Sequence, residues 1–115
     1  MINKVTLLNK EFRLGIGFLN RLIDGTGKDL AAIWDEIIKN PAVIIPQMIY
    51  YSLVYSYERQ SKELDFTIHD VYDWIDENGG INGKFSNDFQ SAFVQSMNQD
   101  VPVDESKKKV VKPKK

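Results

Sequence analysis

The sequence predicts a mainly all-α fold, a small bundle of four to five helices. Three patterns favour it: a one-sided apolar stripe over residues 30–38, a long apolar run over residues 42–57, and phenylalanines spaced four residues apart from Phe85. The chain has 115 residues, 43% of them hydrophobic and 27% charged. A chain of this size buries enough surface to form a core without disulfide bonds. We predict one helical domain over residues 1–99 and a disordered, lysine-rich C-terminal tail over residues 100–115.

The N-terminal residues 2–14 alternate apolar and polar side chains around Asn9-Lys10, a pair that suits a turn. A short β-hairpin is therefore an option for this segment. After Gly15 the apolar period becomes helical and continues to Ile23. The glycines at the start of this helix favour either a helix entrance or close packing. The run Asp-Gly-Thr-Gly-Lys, residues 24–28, ends the first predicted helix.

The second predicted helix has the clearest pattern. Asp29 is placed to cap it. Five apolar residues then follow at i, i+3, i+4, i+7 and i+8, which puts them on one side of the helix: Leu30, Ile33, Trp34, Ile37 and Ile38. Asn40-Pro41 ends the helix, because a residue before proline is disfavoured in the helical region.

The third predicted helix starts near residue 42 or 46 and ends near residue 60. Between residues 42 and 57 only Gln47, Ser52 and Ser56 are plainly polar, so apolar side chains surround the helix almost completely. Such a helix is either central in its own domain or shared with a partner, and both interpretations stay open. If the helix is shared with a partner, the candidate residues that face another copy or a client are Ile44, Ile45, Met48, Ile49, Tyr51 and Tyr55.

A linker over residues 58–66 leads to the fourth and fifth predicted helices. The fourth begins at Thr67 with Asp70 three residues later, a spacing typical of a capping box, and ends at Gly79-Gly80. Its inner face is predicted from helical spacing: Ile68, Val71, Tyr72 and Ile75. The fifth covers about residues 82–98.

Residues 63–77 contain six acidic side chains and no Lys or Arg. A solvated face is one interpretation. The other is an acidic docking face, with Asp70, Asp73 and Glu77 as its candidate residues, for a basic partner that includes the chain's own tail.

Charge divides the chain into an acidic body and a basic tail. Residues 1–99 carry nine Lys or Arg and thirteen Asp or Glu, a net −4, whereas residues 100–115 carry six Lys and three acids, a net +3. The tail has two prolines and no aromatic residue, which favours disorder. An acidic body gives no reason to expect nucleic-acid binding. We also expect no membrane span, because about 20 apolar residues are needed and Pro46 interrupts a shorter run.

No pattern in the sequence predicts catalysis or a cofactor. There is no cysteine, which excludes thiolate metal sites and favours a reducing cytoplasm. His69 is the single histidine and has no recognisable catalytic partner set. The run 76–87 resembles a calcium loop only weakly, because Ile81 replaces its glycine and Asn87 its terminal acid. We expect no enzyme activity, no cofactor and no metal.

Five short motifs follow one another along the chain: Phe12-x-x-Gly15-x-x-Phe18-Leu19-x-x-Leu22, the Gly27 turn before Leu30, Asn40-Pro41, Ile49-Tyr50 and Ile75-Asp76-Glu77-Asn78-Gly79. Together they resemble the tail assembly chaperones of long-tailed bacteriophages that infect Gram-positive bacteria. The resemblance spans about residues 10–98, and the order and spacing of the motifs carry it more than any single residue.

The resemblance implies a small helical chaperone of the host cytoplasm that is absent from the finished virion. Its implied partners are the tape measure protein, which it keeps soluble, the tail tube protein, whose polymerisation it assists, and further copies of itself. A longer form made by ribosomal frameshifting near Lys107-Lys108-Lys109 is also implied. Two alternatives stay open: a head–tail connector or minor tail protein retained in the virion, and a host regulator or helical adaptor.

Overall fold

The computed structural model describes residues 3–97, and in this range five helices follow a two-stranded antiparallel hairpin. The prediction of a mainly all-α fold is confirmed, and the N-terminal segment forms the short β-hairpin that the sequence allowed. The predictions for residues 100–115 lie outside the described range and stay predictions. The elements are β1 (Lys4–Leu7), β2 (Lys10–Arg13), α1 (Ile16–Thr26), α2 (Leu30–Lys39), α3 (Pro41–Arg59), α4 (Ile68–Glu77) and α5 (Lys84–Met97).

The hairpin turns one residue earlier than the sequence predicted. Lys4 pairs with Arg13 and Leu7 with Lys10, so Leu8 and Asn9 form the two-residue turn. Both have positive φ, 52° and 61°, as the tight turns that match strand twist require. Asparagine tolerates this conformation and leucine does not favour it, which is why the sequence pointed to Asn9-Lys10 instead.

The helix ends follow the capping signals of the sequence. The Asp29 side chain accepts a hydrogen bond from the Ala32 N–H at 2.8 Å, which caps α2 as predicted. At α4 the Thr67 and Asp70 side chains each accept from the other's backbone N–H, so the predicted capping box is present. Helix α3 begins at Pro41, because a proline in the first turn needs no N–H partner.

Helix α3 is the centre of the domain. The hairpin strand β2 and helices α1, α2, α4 and α5 all pack against it. Ser52, fully buried in the middle of α3, donates a hydrogen bond to the Arg13 carbonyl at 2.9 Å and so joins the helix to the end of β2. Phe12 on β2 packs against Phe85 and Phe89 of α5, with ring centroids 6.0 and 6.1 Å apart. The hairpin is therefore part of the core.

Helices α1 and α3 approach closely through two glycines. A Cβ on Gly17 would collide with the Tyr55 ring, and a Cβ on Gly25 would collide with the Tyr51 ring. The close-packing expectation thus holds for Gly17, while Gly15, with a φ of 93°, lies at the helix entrance. Between the two contacts, the Arg21 guanidinium lies 5.0 Å from the Tyr55 ring centroid. Arg21 also forms an ion pair with Glu58 at 2.6 Å.

Candidate functional site

Four of the residues expected to face a partner are fully buried. Ile44, Ile45, Met48 and Ile49 have no exposed surface and belong to the chain's own core. The prediction that they form a partner surface is therefore wrong for this conformation. The hairpin strand β2 packs against α3 in addition to the neighbouring helices, and together they cover these four side chains.

Tyr51 and Tyr55, the other two predicted partner residues, are half-buried and lie one turn apart on α3, where both rings pack against α1. Tyr55 rests on Gly17 and carries Arg21 and Arg59 on its ring. Tyr51 rests on Gly25, and its ring also packs edge-on against Tyr50 at 5.1 Å. Of the six predicted residues, Tyr51 alone also lines the open groove between α3 and α4.

This α3–α4 groove consists of two neighbouring hollows in the surface between α3 and α4. The first, of about 440 Å³, is lined by Gln47, Tyr50, Tyr51, Phe66, Thr67, Ile68 and Tyr72. The second, of about 320 Å³, is lined by Ala42, Pro46, Tyr72, Ile75, Asp76 and Ile81. Tyr72 borders both hollows. Since most of these side chains are apolar or aromatic, the groove is suited to apolar groups of a ligand.

Tyr72 was predicted on the inner face of α4, and for this residue the prediction is wrong. Its spacing matches that of Val71 and Ile75, which are buried, yet 43% of Tyr72 is exposed. The tyrosine stands between the hollows with its ring edge-on to His69, 5.7 Å between centroids. The tyrosine hydroxyl explains this position, because a residue of this type keeps its polar tip hydrated while its ring packs on apolar surface.

Pro46 lies inside α3 and lines the second hollow together with Ala42. Proline has no N–H, so it cannot donate to the Ala42 carbonyl, the usual acceptor at this spacing in a helix.

The three candidate residues of the acidic docking face have different surroundings. Asp70 is half-buried and its carboxylate accepts the Thr67 N–H at 2.8 Å, so it serves the helix cap. Asp73 and Glu77 are exposed, as is Asp76 at the edge of the groove. Within residues 3–97, no ion pair involves any of these four carboxylates. Asp76 thus gives the α4 side of the groove one carboxylate that has no ion-pair partner in this range.

A polar cleft of about 610 Å³ lies between the hairpin turn and the C-terminal end of α3 and shares Phe66 with the first hollow. Lys10 Nζ lies 4.6 Å from the Trp74 ring centroid, and Lys62 Nζ lies 4.4 Å from that of Tyr57. The Tyr57 hydroxyl donates to Asp65 at 2.9 Å. The two lysines and the tyrosine of this cleft therefore already have interaction partners within the chain.

Tyr57 is expected to make the stability of the fold decrease at alkaline pH. Burial, followed by the hydrogen bond and negative charge of Asp65, raises the pKa of Tyr57 above its ordinary value. The folded chain then holds this proton at a pH where the unfolded chain has lost it. The stabilisation is complete below about pH 10 and is lost as pH rises through the folded-state pKa.

We therefore expect urea unfolding midpoints to fall more steeply as the pH rises above about 10 in the wild type than in Tyr57→Phe. Asp65→Asn is expected to reduce this excess loss without removing it, because burial is the larger cause. Identical slopes in the wild type and Tyr57→Phe would contradict the assignment.

The described residues hold no group of three or more His, Asp or Glu side chains arranged to bind a metal ion. Residues 78–83, inside the weak calcium-loop match, form a helix–helix connection in which Gly79 and Gly80 have positive φ. His69 is exposed, and its ring lies edge-on to that of Tyr72. Over the same range of the chain, no helix is long and apolar enough to cross a membrane.

Comparisons with protein-family models, with curated proteins and with solved structures found no match for this chain. The α3–α4 groove is consequently the feature from which function is inferred. Sequence patterns missed it because Ile68, Tyr72 and Ile75 share the spacing of a buried face. A tyrosine within that spacing was the one signal available, since its hydroxyl favours a partly hydrated position.

Proposed function

We propose that this protein is a non-enzymatic tail assembly chaperone of a long-tailed bacteriophage. It binds apolar helices of the tape measure protein in the host cytoplasm, keeps that protein soluble, and assists polymerisation of the tail tube around it. It is absent from the finished virion. The motif order described above, from Phe12 to Gly79, supports the family, and the α3–α4 groove supports the mode of binding.

The groove is the observation that carries this proposal. Helix-in-groove recognition buries one apolar stripe of a client between two helices of the binding protein. The two hollows offer such a surface over about three turns of α3, from Ala42 to Tyr51. Aromatic walls suit varied clients, because tyrosine supplies a large contact area with few rotatable bonds.

Self-association, the other property that we propose, requires a surface outside the groove. The four buried core residues of α3 cannot supply it without unfolding. Exposed apolar side chains elsewhere on the chain are better placed, and the most exposed are Ile38 at 80% and Ile16 at 77%.

The test is co-expression with the tape measure and tail tube reading frames next to this gene. We expect the tape measure protein to be insoluble alone, and soluble and co-purifying when this chain is present. Purified virions should lack the chain. If instead the tape measure protein stays insoluble and the chain is found in virions, it is a structural connector or minor tail protein and the proposal fails.

A further inference from the structure

We infer that the client segment is an amphipathic helix of defined pattern. It carries two bulky apolar side chains one turn apart, at i and i+4, and a row of Lys or Arg along the edge that faces α4. This inference rests on the proposed function and names the chemistry of the segment that occupies the α3–α4 groove. The geometry of the two hollows and the charge of α4 each contribute to it.

The spacing of the hollows determines the apolar pattern. The α3 residues that line the second hollow, Ala42 and Pro46, centre on position 44, and those of the first, Gln47, Tyr50 and Tyr51, centre near position 49. Five residues of helix correspond to about 7.5 Å. Side chains at i and i+4 of a client helix are separated by about 6 Å along its axis. One such pair therefore places a side chain on each side of Tyr72.

The charge of α4 determines the polar pattern. Asp76 lines the second hollow, while Asp73 and Glu77 are exposed on the same helix. No Lys or Arg lines either hollow. None of the three carboxylates has an ion-pair partner in residues 3–97, so Asp76 carries an unneutralised charge at the groove and the other two add to the negative charge of α4. A client with basic residues along this edge is attracted, and one with acidic residues is repelled.

Two synthetic peptides test the pattern directly. Each is an 18-residue helix-forming peptide with fluorescein at one end and leucines at i and i+4, flanked by lysines in one peptide and by glutamates in the other. Fluorescence anisotropy with the full chain at 0.15 M salt should show that the lysine peptide binds at least roughly tenfold more tightly than the glutamate peptide. The preference should shrink at 1 M salt, where charges are screened beyond about 3 Å. A lysine peptide with the same composition in scrambled order should not bind.

Matched variants assign the binding to the groove. Ala42 and Ala31 are both exposed alanines at the second position of a helix, but Ala42 alone lines a hollow. Ala42→Tyr should weaken binding of the lysine peptide by roughly tenfold or more, since it fills the second hollow, and Ala31→Tyr should leave it unchanged.

A second pair of variants tests the charge at the groove. Asp76→Lys should reduce the affinity for the lysine peptide about tenfold, and Asp24→Lys, at an exposed aspartate of α1, should have little effect. Circular dichroism checks that all four variants are folded.

Other results would overturn the inference. Equal binding of the two leucine peptides would reject the basic edge, and an unaffected Ala42→Tyr variant would reject the groove as the site. A change of oligomeric state in Ala42→Tyr, measured by light scattering, would identify a second copy as the occupant. Binding that appears only after residues 100–115 are deleted would identify the chain's own tail.

Co-expression separates this inference from the proposed function. If Ala42→Tyr still solubilises the tape measure protein, the chaperone function stands and the groove is not its client site. If the wild type never solubilises the tape measure protein yet binds the lysine peptide with the predicted variant pattern, the groove chemistry stands and the proposed client is wrong.

Discussion

Met48→Asp is expected to leave the domain unfolded at 25 °C. Met48 lies in the middle of α3, fully buried among the chain's own apolar residues. A carboxylate placed there either stays charged without a partner or takes up a proton, and each costs several kcal/mol. Total stabilities of small domains are about 5–15 kcal/mol, so this one change removes much or all of that margin.

Far-UV circular dichroism and urea titration check the effect of Met48→Asp. The matched control is Val43→Asp, on the same helix but 55% exposed, which should change the free energy of unfolding by about 0.5 kcal/mol or less. A folded Met48→Asp chain that no longer binds copies of itself or a client would instead mean that this side of α3 is an interface.

Phe12→Ala should lower the free energy of unfolding by about 3–5 kcal/mol. Phe12 is fully buried, and its ring packs against Phe85 and Phe89. Its removal leaves a cavity between β2 and α5 and weakens the attachment of the whole hairpin. The loss should appear as a lower urea midpoint with an unchanged slope if unfolding remains two-state.

Thr6→Ala is the control for Phe12→Ala, because Thr6 is an exposed residue of the same hairpin. It should cost about 1 kcal/mol or less, the range of strand propensity differences. If Phe12→Ala costs no more than Thr6→Ala, the hairpin is not part of the cooperative core.

Helices α2 and α4 were predictable because a capping residue marks the N-terminal end of each and because each has one apolar face. Asp29 caps α2 and Thr67 with Asp70 caps α4, and in both cases the spacing alone determines the hydrogen bond. The hairpin was open to doubt because strands of four residues contain too few alternations to exclude other conformations.

The exposed part of α3 could not be predicted for a different reason. A helix that is apolar on all sides has no stripe to distinguish inside from outside, so Met48 and Tyr51 look equivalent in sequence. Which side stays open depends on how the hairpin and α4 pack against α3, which the sequence of α3 alone does not determine. Tyr72 illustrates the same limit, since helical spacing places it with Val71 and Ile75 although it stands at the edge of the groove.

The contacts of Gly17 with Tyr55 and of Gly25 with Tyr51 tie two pairs of distant sequence positions together. A side chain at position 17 or 25 is compatible with this helix spacing only when its tyrosine gives way to a smaller residue or turns out into solvent. Divergence at these four positions should consequently be correlated within each pair and independent between the pairs. A diverged chain that keeps both tyrosines but has lost both glycines would have to turn both rings out into solvent or separate α1 from α3.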